Sequence, residues 1–211
     1  MLHVLNDIVG VFFAAFGKLF LRDQVAHVRQ RLGVALERNR KSMCRGISEF
    51  LIVALITSED RRFWRHKGID LAAICRAMYR FIVERRLEGA STVEQQLVRT
   101  LTGYRELSVK RKLREIILAC YVASVTVKRE TAILYLSCAY YGWRMNSLGE
   151  ACERLDCPSS NMSIRQACEI VARLKYPEPR KASPERRTLI RQRAEYIRQR
   201  ITKEVLIDDG L

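Results

Sequence analysis

Apolar residues in this chain recur at intervals of three and four, the spacing of helix faces, and rarely alternate as they would in strands. Val25, Val28, Leu32, Ala35 and Leu36 mark one amphipathic helix, with arginine and glutamate on its other side. Residues 47–57 form a run too apolar for a surface helix. Asp70 is placed to cap a helix over 71–86, and Ser91 with Glu94 makes an S-x-x-E capping box opening a helix through Leu101. Ser108 caps a helix over 109–124, and another covers 129–138. Ser163 with Gln166 makes a second capping box, and Ser183-Pro184 sets a cap before a first-turn proline, opening a final helix that ends near Val205. Period-two stretches bounded by turn residues are nearly absent, and there is no internal repeat. The pattern predicts an all-α chain of about eight or nine helices.

The N-terminal stretch is more ambiguous. Residues 4–21 are apolar, but Asn6, Asp7 and Lys18 interrupt them, and the uncharged run 8–17 is half the roughly 20 residues a spanning helix needs. The basic flank of a signal peptide is missing. Phe12, Phe13, Phe16, Leu19 and Phe20 recur at helical spacing, which suits either a helix lying in a bilayer interface or one packed on the domain.

Composition narrows the class. The 211 residues are 48% apolar with only four prolines and ten glycines, which excludes disordered, collagenous and linker-like chains. Thirty-eight basic against 23 acidic side chains leave a net charge of +15, which implies an anionic partner such as acidic headgroups, a phosphorylated substrate or nucleic acid. The most basic segment, 175–203, holds ten Lys/Arg and three Glu, but no interleaved aromatic platform or nucleic-acid-binding motif accompanies it. Seven cysteines (44, 75, 120, 138, 152, 157 and 168) form no C-x-x-C pair and no zinc-spaced cluster, so they read as buried thiols, with a single Cys152–Cys157 bridge as the one alternative.

Polar groups that resist a core explanation gather in three places. The stretch 58–70 (S-E-D-R-R-F-W-R-H-K-G-I-D) leaves the very apolar helix directly, so Glu59 stands at the edge of a low-dielectric wall, a setting suited to a general acid or base. An ion-pair cluster is the structural alternative. The stretch 88–99 (E-G-A-S-T-V-E-Q-Q-L-V-R) leads a small-residue turn into a helix N-terminus, where free N–H groups and the helix dipole favour an anion and Gln95, Gln96 and Arg99 lie close by. A plain, well-capped helix would look the same. In 110–119, Arg111 and Glu115 share one helical face, as a surface ion pair or as two groups facing a cleft.

In order, E-D-x-x-F-x-x-H-x-G-x-D, G-x-S-T-x-x-Q-Q-L-V and R-K-x-x-E-x-x-x-A resemble the motifs of the peptidoglycan glycosyltransferases, the monofunctional enzymes and the glycosyltransferase domains of class A penicillin-binding proteins. Lys128 with Tyr135-Leu136-Ser137 and Tyr140-Tyr141-Gly142, then Gly149-Glu150-Ala151 and 166–177, continue the resemblance, which spans about residues 47–198. It implies an all-α, lysozyme-like multi-helix domain with a substrate cleft between two lobes, the domain covering 46–205 after an N-terminal helical segment, 1–45. It also implies polymerisation of lipid II into β-1,4 glycan with inversion. Glu59 matches the carboxylate that takes the proton of the acceptor 4-hydroxyl, and Glu115 the second glutamate, at the donor end. Asp60, Phe63, His66, Ser91, Thr92, Gln95, Gln96, Arg99, Arg111 and Lys112 match substrate-binding positions. A divalent cation, Mg or Mn, at the donor pyrophosphate is the one cofactor considered. Implied partners are lipid II, the growing strand, an anionic membrane surface and other cell-wall synthases, with no nucleic acid. The implied location is the outer face of the bacterial cytoplasmic membrane.

This chain departs from the family pattern at Arg99, where Lys is usual, and at Glu94, where Thr is usual. At Glu94 a capping-box role is the expectation. Ser137 stands for Asn, and Ile133 and Ala123 for carboxylates. Two other functions remain open: a lysozyme-like hydrolase or lytic transglycosylase, and an inactive basic scaffold binding membrane or nucleic acid.

Overall fold

Helix follows helix along the chain in the computed structural model, which describes residues 2–42, 46–104 and 106–208. Among them are ten α-helices: α1 (Leu2–Phe20), α2 (Arg22–Ser42), α3 (Glu49–Glu59), α4 (Leu71–Val83), α5 (Val93–Thr102), α6 (Val109–Val125), α7 (Lys128–Cys138), α8 (Leu148–Arg154), α9 (Ile164–Lys175) and α10 (Pro184–Asp208), with a single 3₁₀ turn at Phe63–Arg65. No strand pairing beyond isolated bridges occurs among the described residues, so the all-α expectation holds. The helix beyond the expected nine is α8, too short to show a period but capped by Ser147, whose hydroxyl accepts from Glu150 N–H.

Local signals placed most helix starts. Asp70 accepts from Ala73 N–H at the head of α4, Ser108 from Arg111 N–H at the head of α6, and Ser163 and Gln166 close a full capping box on α9. Three expectations need correcting. α3 runs over 49–59 rather than 47–57, and so carries Glu59 as its last residue. α4 stops at Val83 rather than 86, because Arg85 takes a left-handed φ of 54°. α5 is capped by Thr92, not Ser91, with the Thr92 hydroxyl accepting from Gln95 N–H.

The helices fall into two compact units. The first comprises Met1–Ala35 and Arg62–Thr131. There α1 lies along α6, α6 against α5, and α1 touches α4. Ala14, Ile69 and Cys120 form a buried cluster with Val9, Phe13, Leu71, Ile74 and Ile116 around it. Close approach explains the small residues of α1: a Cβ on Gly10 would meet the Lys67 carbonyl oxygen at 2.7 Å, and one on Gly17 the Ile117 side chain at 2.9 Å. Buried Asn6 accepts from Leu71 N–H at 3.1 Å, tying α1 to the start of α4. The opposite face of α1 leaves Val4, Ile8, Val11, Phe12, Leu19 and Phe20 exposed. The helix therefore packs on its unit, as one of the two sequence alternatives expected, and keeps an outward apolar face. No single helix among the described residues is long and apolar enough to cross a membrane.

The second unit comprises Leu36–Arg61 and Ala132–Leu211. Here α3 packs on α9 and α10, and α9 on α10, burying Leu51, Leu55, Ile170, Val171 and Ile197. The Tyr141 hydroxyl is buried and donates to the Leu136 carbonyl at 2.7 Å. Cys120, Cys152, Cys157 and Cys168 are buried, Cys138 is half-buried, and Cys75 is exposed, contrary to the buried-thiol expectation; Cys44 lies outside the described residues. Cys152 and Cys157 are free thiols.

Candidate active site

Glu59 is carried on the last residue of α3, whose earlier turns are buried through Leu51, Ile52, Ala54, Leu55, Ile56 and Thr57. A helix so enclosed holds its terminal side chain in a fixed direction. Two neighbours orient the carboxylate further: Ser58 Oγ donates to Glu59 Oε1 at 2.7 Å, and Arg193 Nη2, from α10, reaches the same oxygen at 3.3 Å. Arg193 also donates to the Ser58 carbonyl at 3.0 Å and to Ser58 Oγ at 2.9 Å, so one guanidinium spans the end of α3. The Glu59 side chain is 17% exposed, open enough to exchange a proton yet shielded enough to keep its geometry. Asp60 follows as the C-cap residue of α3, buried, its N–H donating to the Ile56 carbonyl.

In the first unit, Glu115 sits almost fully buried on α6 beneath three cations. Arg99, from α5, grips it with two parallel hydrogen bonds, Nε to Oε2 at 3.1 Å and Nη2 to Oε1 at 2.9 Å. Arg111 donates to Oε2 from one turn earlier on α6, and Lys112 Nζ donates to Oε1 at 2.9 Å. Burial acts to raise the pKa of Glu115, but the hydrogen bonds from Arg99 and Lys112 outweigh it and hold the carboxyl below its ordinary range. Lys112 is pushed down, first by burial, and further by Arg99 and Arg111 beside it. One negative charge among three positive ones leaves the cluster with a surplus of positive charge. The buried Nε of Arg111 has no hydrogen-bond partner. This arrangement suits an anion.

Lys112 ties that cluster to the head of α5, donating to Ser91 Oγ at 2.9 Å and to Gln95 Oε1 at 2.6 Å. Thr92 and Gln95 are both buried and both donate to the Gly68 carbonyl, at 2.9 and 3.3 Å. Gly68 fits there because its φ is +86° and a Cβ would lie 2.6 Å from the Ala119 backbone. Ser91, Gln95, Arg99, Arg111, Lys112 and Glu115 are thus brought together, as their motifs suggested, with Thr92 as the cap that sets them. Gln96, half-buried one residue on, keeps its N–H on the Thr92 carbonyl.

Phe63 and His66 are both buried, with the two rings edge to face. Lys128 Nζ stands 4.2 Å over the Phe63 ring and donates to Glu94 Oε1 at 2.5 Å. Glu94 is fully buried, and a ring nitrogen of His66 lies within 4.8 Å of its carboxylate. The capping-box expectation for Glu94 is therefore overturned: the side chain turns inward to Lys128, because a buried carboxylate needs a paired cation more than a cap needs a second acceptor.

One residue and one pairing escaped sequence reasoning. Arg193 lay in a basic run with many equivalent arginines and no local mark. The Glu94–Lys128 pair joins positions 34 apart; its only hint was an acid where a hydroxyl is usual.

Residues 27–202 match the family model described as Transglycosylase. Among curated proteins, the chain is 28% identical over 176 residues to penicillin-binding protein 1A of Rickettsia typhi (strain ATCC VR-144 / Wilmington), which covers 81% of this chain and 22% of the relative. The protein of the same name from Rickettsia felis (strain ATCC VR-1525 / URRWXCal2) is 30% identical over 176 residues with the same coverage. The biosynthetic peptidoglycan transglycosylase of Rhodospirillum centenum (strain ATCC 51521 / SW) is 34% identical over 167 residues, covering 78% of this chain and 71% of the relative. The chain spans about a fifth of the length of the penicillin-binding proteins it matches.

Proposed function

The chain belongs to the transglycosylase family, and from that premise we propose that it is a peptidoglycan glycosyltransferase, polymerising lipid II into β-1,4-linked glycan strands with inversion. Glu59 accepts the proton of the acceptor sugar's 4-hydroxyl as that oxygen attacks the donor anomeric carbon. The anomeric C–O bond to phosphate breaks, and polyprenyl pyrophosphate leaves with the bonding pair. The leaving group gathers negative charge, and Arg99, Arg111 and Lys112, with Ser91 and Gln95 beside them, receive it. Glu115 holds these cations together by offsetting their mutual repulsion. In the first unit Phe63, His66, Thr92 and Gln96 shape the surroundings of these cations, and in the second Asp60 follows Glu59 at the end of α3.

The single observation that carries this reading is the Glu115 cluster, three cations preorganised on one buried carboxylate with positive charge to spare. A hydrolase has no pyrophosphate to hold and no use for it. The same donor set does not fit a divalent metal: its one carboxylate already meets three cations, and the neighbouring groups are hydroxyl and amide. No step here is routed through a metal.

On this reading the enzyme works on its lipid-linked substrate at the outer face of the cytoplasmic membrane. The exposed apolar face of α1 and the basic surface suit contact with anionic headgroups there.

Polymerisation of labelled lipid II by the full chain tests the proposal. Glu59→Gln keeps the shape and removes the base, so the rate is expected to fall roughly 10²–10⁴-fold. Full activity in that variant overturns the catalytic assignment, and release of fragments from purified sacculi in place of polymer favours the hydrolase.

A further inference from the structure

Three arginines in the second unit, none of them in contact with Glu59 or Glu115, gather around one indole ring. The turn that carries the ring is tied on both sides. Met145 N–H donates to the Gly142 carbonyl at 2.9 Å and Tyr141 N–H to the Met145 carbonyl at 2.8 Å. Trp143 N–H donates to the Glu178 carbonyl at 2.7 Å, and Glu178 N–H to the Tyr141 carbonyl at 3.0 Å. Gly142 permits this approach: its φ is +142°, and a Cβ would meet the Glu178 carbonyl oxygen at 2.3 Å. Trp143 therefore stands on a rigid support.

The arginines reach it from three separate places. Arg144, next in the turn, puts its guanidinium carbon 4.7 Å from the ring centroid. Arg154, at the end of α8, lies at 4.9 Å and donates Nη1–H to the Trp143 carbonyl at 3.1 Å. Arg180, in the segment before α10, lies at 5.3 Å. All three are exposed, and Trp143 is half-buried. Arg144 also holds a left-handed φ of 55°, a conformation that costs an arginine energy and a glycine nothing.

Attraction to the ring accounts for one cation readily, but each further guanidinium repels the ones already present. Arginine does not shed its proton, so the repulsion persists at every working pH. Among the described residues none of the three makes an ion pair, Glu178, in the segment bonded to that turn, is held by Arg173 at 2.8 Å, and Glu150 accepts from the Asn146 backbone and side chain. A phosphoryl oxyanion would relieve the repulsion, because several guanidinium forks can share its oxygens at once.

We propose that Arg144, Arg154 and Arg180, gathered around Trp143, form a binding site for a phosphoryl group, carried on a soluble phosphate or on a lipid headgroup. The site shares no residue with the glycosyltransferase reading and stands or falls without it.

The chain has two tryptophans, so Trp64→Phe leaves Trp143 as the sole indole emitter. That protein is titrated at constant ionic strength with sodium pyrophosphate, and separately with phosphatidylcholine vesicles with and without phosphatidylglycerol. A saturable change in Trp143 emission is expected, with apparent affinity weakened roughly tenfold or more by Arg154→Gln and by Arg144→Gly. Arg144→Gly removes the left-handed strain together with the guanidinium, and a urea midpoint unchanged from the parent separates its loss of binding from a folding defect. Arg99→Ala, in the Glu115 cluster, leaves the response intact. A response to pyrophosphate assigns the soluble ligand, and one confined to phosphatidylglycerol vesicles assigns the headgroup. No saturable response to either, or one kept in full by both arginine variants, overturns the site.

Discussion

Glu115 owes its charge to its neighbours, and that dependence can be measured. Its pKa is lowered in the folded chain, from an ordinary 4.5, because the hydrogen bonds from Arg99 and Lys112 outweigh its burial. A carboxyl depressed in this way contributes stability that is fully present above the unfolded value and is lost as pH falls through the folded one. Urea unfolding at a series of pH values below neutrality is expected to show that loss in the parent chain. Glu115→Gln should be less stable at neutral pH, where three cations lose their partner, and flatter toward acid. An unchanged acid limb in the variant would refute the linkage. A second buried charge behaves more severely. Lys128→Met leaves Glu94 enclosed without its cation, and breaking such a pair costs about 3–5 kcal/mol. Equilibrium unfolding that shows a change well under 1 kcal/mol would mean that the pair is not desolvated as the burial of Glu94 indicates.

At the scale of the element, the start of α5 decides where Ser91, Gln95 and Arg99 point. Two hydroxyls, Ser91 and Thr92, stand side by side there, and only one caps. Thr92 does so while also donating to the Gly68 carbonyl, whereas Ser91 takes a hydrogen from Lys112. Thr92→Ala is therefore expected to lower stability by roughly 0.5–2 kcal/mol, the usual cost of a lost cap. Ser91→Ala should leave stability nearly unchanged and weaken donor binding instead. Paired melting and substrate-binding measurements on the two variants separate the roles, and a reversed order would reassign the cap. Sequence logic chose Ser91 because Glu94 completed a familiar spacing. Packing chose Thr92 because burial sent Glu94 to Lys128 and left Gly68 to receive the neighbouring hydroxyl.

Across the whole molecule, charge and apolar surface act on the same kind of partner by different physics. A net charge of +15 draws the chain to anionic surfaces over a distance set by salt, about 10 Å at 0.1 M and about 3 Å at 1 M. The outward phenylalanines of α1 act only on contact and are insensitive to screening. Flotation with phosphatidylglycerol-rich vesicles should therefore fall steeply with salt in the parent chain. The double variant Phe12→Ser, Phe20→Ser should bind less at every salt concentration while unfolding at the same denaturant concentration, since both rings are exposed. Binding that ignores both changes would remove α1 from the membrane-facing surface.

The chain's own order of residues was enough to establish its helical class, most of its caps and the identity of its family motifs, because each of these depends on groups within a turn or two of one another. Asp70, Ser108 and Ser163 cap where their spacing says they should. A seven-residue helix such as α8 is too short to display a period, so it was invisible until folded. Folding alone chose Arg193 to clasp Glu59 across 134 positions, Lys128 to neutralise Glu94, and three arginines to meet at Trp143. In a chain with 38 basic side chains, spacing cannot tell one candidate cation from the next. For Arg193 and Lys128 burial ranks them, by making the wrong pairing of a desolvated carboxylate too costly to keep.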